Sequence, residues 1–202
     1  MIGVTNMGLR PAIFLDRDGT LIEDRGHLRS PSDVVFLPGT VGALKRLQDA
    51  FALFIVTNQR GVAGGILSLN DVERVNAHVV CQLAEAGAKI TEVYFCPHRR
   101  SDKCLCIKPK PYSMEKAARE HGLDLKRSFV VGDHPHDVET ARSVGATGIY
   151  VRTGHGEKHG HELQDNTIIA ADIEEAAHRI LMISDESDHA KDGRVAGQGN
   201  TP

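Results

Sequence analysis

The 202-residue chain reads as one α/β domain, a parallel sheet with helices on both faces. Three observations predict this. Short apolar runs at residues 12–15, 52–56, 90–95, 128–131 and 147–151 have the length and continuity of strands buried on both faces. Stretches with apolar residues at helical spacing lie between them. The runs end at polar or Gly-containing segments, and in parallel sheets ligands sit outside the carboxyl ends of the strands. Asp16, Asp18, Thr57, Asn58 and Asp133 all fall at such ends. Scattered along the chain, they are expected to meet in space.

The elements follow in order. After the first strand a polar segment passes Pro31 and reaches Pro38-Gly39, a loop over the end of the sheet. Thr40 is placed to N-cap a helix whose inner face is Val41, Leu44 and Leu47. The second strand stops at Thr57-Asn58-Gln59 and a Gly-rich loop, residues 60–65. Ser68 with Asp71 forms a capping box for a helix with Val72, Val75, Val79 and Leu83 on one side, closed by Gly87. Cys81 within it is expected to be a small structural residue. Pro111 opens a helix that ends near Gly122, another spans 137–144, and Asp172 with Glu175 caps a last one over 173–182. Residues 1–10 are expected to be a flexible N-terminus, 11–183 the folded domain, and 184–202 a disordered tail too polar to offset its ordering entropy.

Composition excludes several function classes. A net charge of −3 gives no reason to expect nucleic acid or an anionic membrane as partner. No apolar run is long enough to span a bilayer, and the first residues lack the features of a secretory signal, so a cytoplasmic monomer is expected.

The chemistry is concentrated in Asp16-Arg17-Asp18-Gly19-Thr20. Two carboxylates one residue apart at a strand end repel each other and resist desolvation unless a cation joins them, and hard oxygen ligands suit Mg²⁺. On this stretch alone a polar turn capped by two acids is the alternative. With the other strand ends, the set is equipped for phosphoryl transfer. Asp16 can act as nucleophile and Asp18 as proton donor and acceptor. Asp133 can complete a Mg²⁺ site, Thr57 and the N–H groups around Asn58 can bind phosphoryl oxygens, and Lys108 can supply fixed positive charge. Separately, Cys96, His98, Cys104 and Cys106 offer three thiolates and an imidazole, a closed tetrahedral set for a structural Zn²⁺; the alternative is a Cys-rich surface loop without metal. His155, His159 and His161 follow a Gly-rich turn and are expected to be solvated rather than metal-bound.

In order, Asp-Arg-Asp-Gly-Thr, Thr-Asn-Gln, Lys-Pro before a helix and Gly-Asp-His-Pro-His-Asp resemble the four motifs of the haloacid dehalogenase (HAD) superfamily of phosphatases, from about residue 12 to 154. The resemblance implies a three-layer α/β sandwich with a Rossmann-like sheet. It further implies Asp16 as nucleophile, Asp18 as acid/base, Thr57 and Lys108 as phosphoryl ligands, and Mg²⁺ on Asp16, Asp133 and the Asp18 carbonyl. With the cysteine loop added, the chain resembles the branch of heptose-bisphosphate and histidinol-phosphate phosphatases, which has no large cap domain. By match of position Asp24, Arg25, Gly26, His27, Asn58, Gln59, Arg60 and His134 are expected to contact substrate. Ile107 stands where the branch usually has Arg, His134 where the heptose enzymes often have Lys, and the zinc spacer is the short form. The expected activity is phosphate removal from a small phosphorylated sugar, heptose 1,7-bisphosphate, in lipopolysaccharide or related cell-surface sugar synthesis. A histidinol-phosphate phosphatase, or a non-enzymatic zinc-stabilised binding module, are the alternatives.

Overall fold

A computed structural model describes residues 9–195. Its centre is a parallel sheet of six strands, β1 (Ala12–Leu15), β2 (Ala52–Asn58), β3 (Glu92–Cys96), β4 (Phe129–Gly132), β5 (Thr147–Val151) and β6 (Ile168–Ala170), in the order β3-β2-β1-β4-β5-β6. Ile13 pairs with Leu53 on one side and Phe129 on the other, so β1 is buried at the middle. Chain order reverses between β1 and β4, and that switch point opens a crevice at their carboxyl ends.

Alternate residues of each strand feed two separate cores, as a period of two requires. Ile13, Leu15, Leu53, Ile55, Val131 and Ile149 pack beneath helices α1 (Thr40–Leu47) and α2 (Leu69–Glu85). Phe14, Phe54, Val56 and Val130 face the other way, against α3 (Tyr112–His121) and α4 (Pro135–Ser143). The rings of Phe14 and Phe54 stack there with centroids 5.3 Å apart. A short helix, α5 (Gly156–His159), follows β5, and α6 (Ile173–Val195) joins the first layer through Ile173, Ala176, Ala177 and Ile180.

Several boundaries differ from the sequence expectation. Thr40 does not cap α1; Gly39 occupies that position at φ 78°, and Thr40 Oγ1 instead donates to Leu21 O at 3.0 Å, tying the helix to the loop after β1. β6 and α5 are too short for periodicity to show. Arg10 is anchored, its guanidinium donating to Phe51 O at 3.0 Å and Gln48 O at 2.9 Å, while residues 1–8 of the expected flexible terminus lie outside the described residues. The stretch after Ser184, expected to be disordered, continues α6 to Val195; no proline interrupts it, and a polar helix needs no core to accept it. Residues 196–202 lie outside the described residues. Cys81 is exposed and donates to Glu85 instead of packing.

The capping box of α2 is present, with Asp71 N donating to Ser68 Oγ at 3.1 Å and Ser68 N to Asp71 Oδ2 at 2.9 Å. Ser68→Ala should cost about 1 kcal/mol, read as a lower urea midpoint at unchanged slope.

Candidate active site

The chain leaves β1 through a tight turn in which Leu21 N and Ile22 N both donate to Arg17 O, at 3.0 and 3.1 Å. Gly19 sits in it at φ +81°, a conformation L side chains rarely adopt. The turn gives Asp16 and Asp18 different partners. Asp16 Oδ1 lies 2.5 Å from Lys108 Nζ, and the same ammonium is 2.6 Å from Asp137 Oδ1 and donates to Val56 O at 2.8 Å. Asp18 Oδ2 accepts from Arg17 Nη2 at 2.9 Å, Gln59 Nε2 at 2.8 Å and Thr57 Oγ1 at 3.3 Å. Arg17 is fully buried and also donates to Asn76 Oδ1 at 2.6 Å.

Asp133 ends β4 across the switch point, and its Oδ2 accepts from His155 N at 2.7 Å. Oxygens of Asp16, Asp133 and Asp137 lie within 4.8 Å of one another. With all three ionised, three carboxylates against one ammonium would leave two surplus negative charges where little water reaches. Burial raises Asp16 well above the ordinary carboxylate range despite Lys108, and pushes Asp133 up to about 6. Burial alone would favour neutral Lys108, but Asp137 and Asp16 outweigh it and hold the ammonium. A divalent cation with a preference for oxygen fits this set in charge and in ligand type.

Beyond β3, the Sγ atoms of Cys96, Cys104 and Cys106 and Nδ1 of His98 also lie within 4.8 Å of one another. Cys96 Sγ is 3.6 Å from Cys104 Sγ and 3.7 Å from His98 Nδ1, near the edge of roughly 3.8 Å that tetrahedral Zn–S bonds of about 2.3 Å require, while Cys106 Sγ sits tighter, 3.0 Å from Cys96 Sγ and 3.3 Å from His98 Nδ1. The donor set therefore fits zinc. The loop leads straight into Lys108, whose N–H donates to Asn58 Oδ1 at 3.1 Å.

These residues surround a cavity of about 130 Å³ with Asp16, Asp18, Lys108 and Asp133 at its base and Asp24, Thr57, Asn58, Arg60, Ile107 and His134 on its walls. It continues into a groove of about 440 Å³ bordered by Gly26, His27 and Gln59. Arg25 borders neither; its guanidinium is tied to Glu23 at 2.7 Å.

A HAD-hydrolase-like family model matches residues 105–176. D-glycero-beta-D-manno-heptose-1,7-bisphosphate 7-phosphatase of Pseudomonas aeruginosa is 31% identical over 176 residues, covering 86% of this chain and 99% of that protein. The corresponding protein of Thermosynechococcus vestitus is 36% identical over 162 residues, 74% of this chain and 82% of its own. The chain belongs to the heptose-bisphosphate phosphatase family of HAD-like hydrolases. Among solved structures, the D,D-heptose 1,7-bisphosphate phosphatase of B. bronchiseptica, complexed with magnesium and phosphate, superposes with a TM-score of 0.79 at 30% identity, covering 86% of this chain and 99% of that one. As a family member the chain is a phosphoric monoester hydrolase with a three-layer fold.

Five residues in or against this phosphatase's cleft escape the sequence reading. Asp137 is the second acid of Gly-Asp-His-Pro-His-Asp; its Oδ2 accepts from His134 N at 3.2 Å, closing a capping box on α4 while Oδ1 faces Lys108. Arg17 stands between the two predicted acids, a signal its charge alone could have carried. His155 is exposed, as expected, and its ring also reaches Asp24 Oδ2 at 3.1 Å. Arg100 and His136 also line the cavity; His136 lies within Gly-Asp-His-Pro-His-Asp without an expected role, and nothing in the local sequence of Arg100 places it there. His134 packs its ring on His136 with centroids 4.2 Å apart, and burial, with that neighbour, lowers it to about 4, so it enters the wall as a neutral imidazole. His159 lies against the same ring at 4.7 Å and bonds Glu162 rather than standing free, while His161 is exposed.

A Cβ on Gly19 would collide with the Asp133 carboxylate and strain the backbone. Gly19→Ala should lower phosphatase activity by more than an order of magnitude and destabilise the protein by about 1–2 kcal/mol, measured by steady-state kinetics and urea unfolding.

Proposed function

We propose that this chain is a Mg²⁺-dependent phosphatase that removes the 7-phosphate of D-glycero-D-manno-heptose 1,7-bisphosphate through an aspartyl-phosphate. The reading is carried by one observation, the meeting of Asp16, Lys108 and Asp133 across the switch point. The names of the Pseudomonas and Thermosynechococcus relatives support the sugar. They favour heptose bisphosphate over histidinol phosphate, and in this reading the activity belongs to heptose metabolism that serves lipopolysaccharide or similar surface sugars.

In this reading an Asp16 oxygen attacks phosphorus and the ester P–O bond breaks as Asp18 protonates the departing sugar oxygen. Asp18 then takes a proton from water, which displaces phosphate from Asp16. Lys108 stands beside the attacking oxygen, placed to meet negative charge on the phosphoryl group, and Thr57 adds a hydroxyl donor. Arg17 and Gln59 fix the Asp18 rotamer. Asp16, Asp133 and the Asp18 carbonyl would hold Mg²⁺, which supplies charge neutralisation when bound. Asp24, Gly26, His27, Asn58, Arg60 and His134 would border the sugar, and Arg25, which lines neither cavity and pairs with Glu23, would reach it only by leaving that exposed pair. Zn²⁺ on Cys96, His98, Cys104 and Cys106 would be structural, fixing the segment from which Lys108 projects.

Asp16→Asn should abolish phosphate release with Mg²⁺ present, and unchanged turnover would remove the covalent route. Wild-type protein should turn over heptose 1,7-bisphosphate with a kcat/KM at least ten times that for histidinol phosphate; the reverse order would overturn the substrate assignment.

Protein purified without chelator should contain close to one zinc per chain by elemental analysis. Zinc removal should lower both Tm and activity, because binding to the folded state is folding free energy. A folded, active, zinc-free protein would eliminate the structural site.

A further inference from the structure

Two guanidinium groups at the mouth of the cavity have no carboxylate opposite them. Arg60, on the loop after β2, and Arg100, in the turn Arg100–Asp102 of the cysteine loop, line the same cavity as Asp16 and Lys108. Among the described residues neither forms an ion pair. The acids nearby are already engaged: Asp16 and Asp137 by Lys108, Asp18 by Arg17, and Asp24 by His155.

Arg100 is nevertheless held in place. Its guanidinium meets the His136 ring at Nε2, and that ring is stacked on His134. Its own turn is closed by Arg99 N donating to Asp102 Oδ2 at 2.8 Å. The arginine is thus supported by a ring and not by a carboxylate, and among the described residues no ion pair matches its charge. Ile107, nearly buried, lines the same cavity as Arg100 and Lys108 and brings an apolar side chain to it. Planar guanidinium groups with free donors suit an oxyanion they can grip by two bonds.

We propose that Arg60 and Arg100 form a second anion subsite, distinct from the phosphoryl position at Asp16 and Lys108, which takes a second phosphate on the same small substrate. Arg100 is the residue that separates bisphosphorylated from monophosphorylated sugars. Ile107 leaves no cation beside Lys108 for this purpose, and Arg100 supplies one from the opposite end of the metal loop. The proposal extends the sugar-bisphosphate reading above, and its test separates the two.

The experiment compares wild type, Arg100→Gln and Arg100→Lys on heptose 1,7-bisphosphate and heptose 7-phosphate, with zinc content and Tm confirming that each variant is folded. In Arg100→Gln the ratio of kcat/KM for the bisphosphate over the monophosphate should fall by about 10- to 100-fold, carried by KM, the size expected for a lost charge-assisted contact. Arg100→Lys, which keeps charge without the fork, should fall in between. An unchanged ratio, whether both substrates suffer equally or neither does, overturns the subsite. If the wild type hydrolyses neither heptose compound, the substrate reading fails on its own. The subsite is then read from fructose 1,6-bisphosphate and fructose 6-phosphate as competitors of p-nitrophenyl phosphate turnover. A ratio of inhibition constants that drops in Arg100→Gln supports it, and an unaltered ratio sinks it.

Discussion

Like charges buried together govern this molecule. Asp16, Asp133 and Asp137 converge where the sheet reverses its order, with Lys108 as their one close ammonium. Taking a carboxylate out of water costs several kcal/mol unless it is paired or hydrogen-bonded, and breaking such a pair leaves an uncompensated charge. The surrounding structure reduces that cost piece by piece. The first turn of α4 directs a backbone N–H at Asp137, the backbone of His155 donates to Asp133, and Lys108 is held by Val56 O between two acids. The charge left unmatched when all three acids are ionised equals that of a divalent cation, so stability and ion binding are two aspects of one arrangement.

Much of this was legible along the chain because strand ends are legible. Apolar runs such as residues 52–56, too short for a helix and bounded by turn residues, read as strands buried on both faces, and the rule that parallel sheets bind ligands at their carboxyl ends then groups Asp16, Thr57 and Asp133. The Ser68–Asp71 box is equally local, both partners lying within one turn. What stayed hidden depends on distance through space. Arg17 finds Asn76 fifty-nine residues away, and Arg100 finds His136 thirty-six away, with no periodicity to announce either contact. His155 is solvent-exposed, as a histidine after glycine suggests, but its contact with Asp24 could not be read from the chain, because the two lie 131 residues apart. The end of α6 escaped for the opposite reason, since a polar segment without proline is consistent with coil and with exposed helix alike.

The cysteine loop joins two functions that look separate. It emerges from the edge strand β3, gathers four donors within 4.8 Å, and passes into the lysine that faces Asp16. The ordering of one end of the loop is therefore imposed on the other. Its second attachment, Ala63 N to Pro97 O at 3.0 Å, fastens it to the Gly-rich loop that carries Arg60. Both walls of the cleft accordingly share a single support.

Gly19 and Gly154 come from strands that are not neighbours, yet their backbones touch over the end of β4, and Thr153 Oγ1 donates to Gly19 O at 2.6 Å. The space around the Asp133 carboxylate exists because two hydrogen atoms stand where methyl groups would be. At this crossing neither loop can thicken, since the void is made by omission and any added atom fills it.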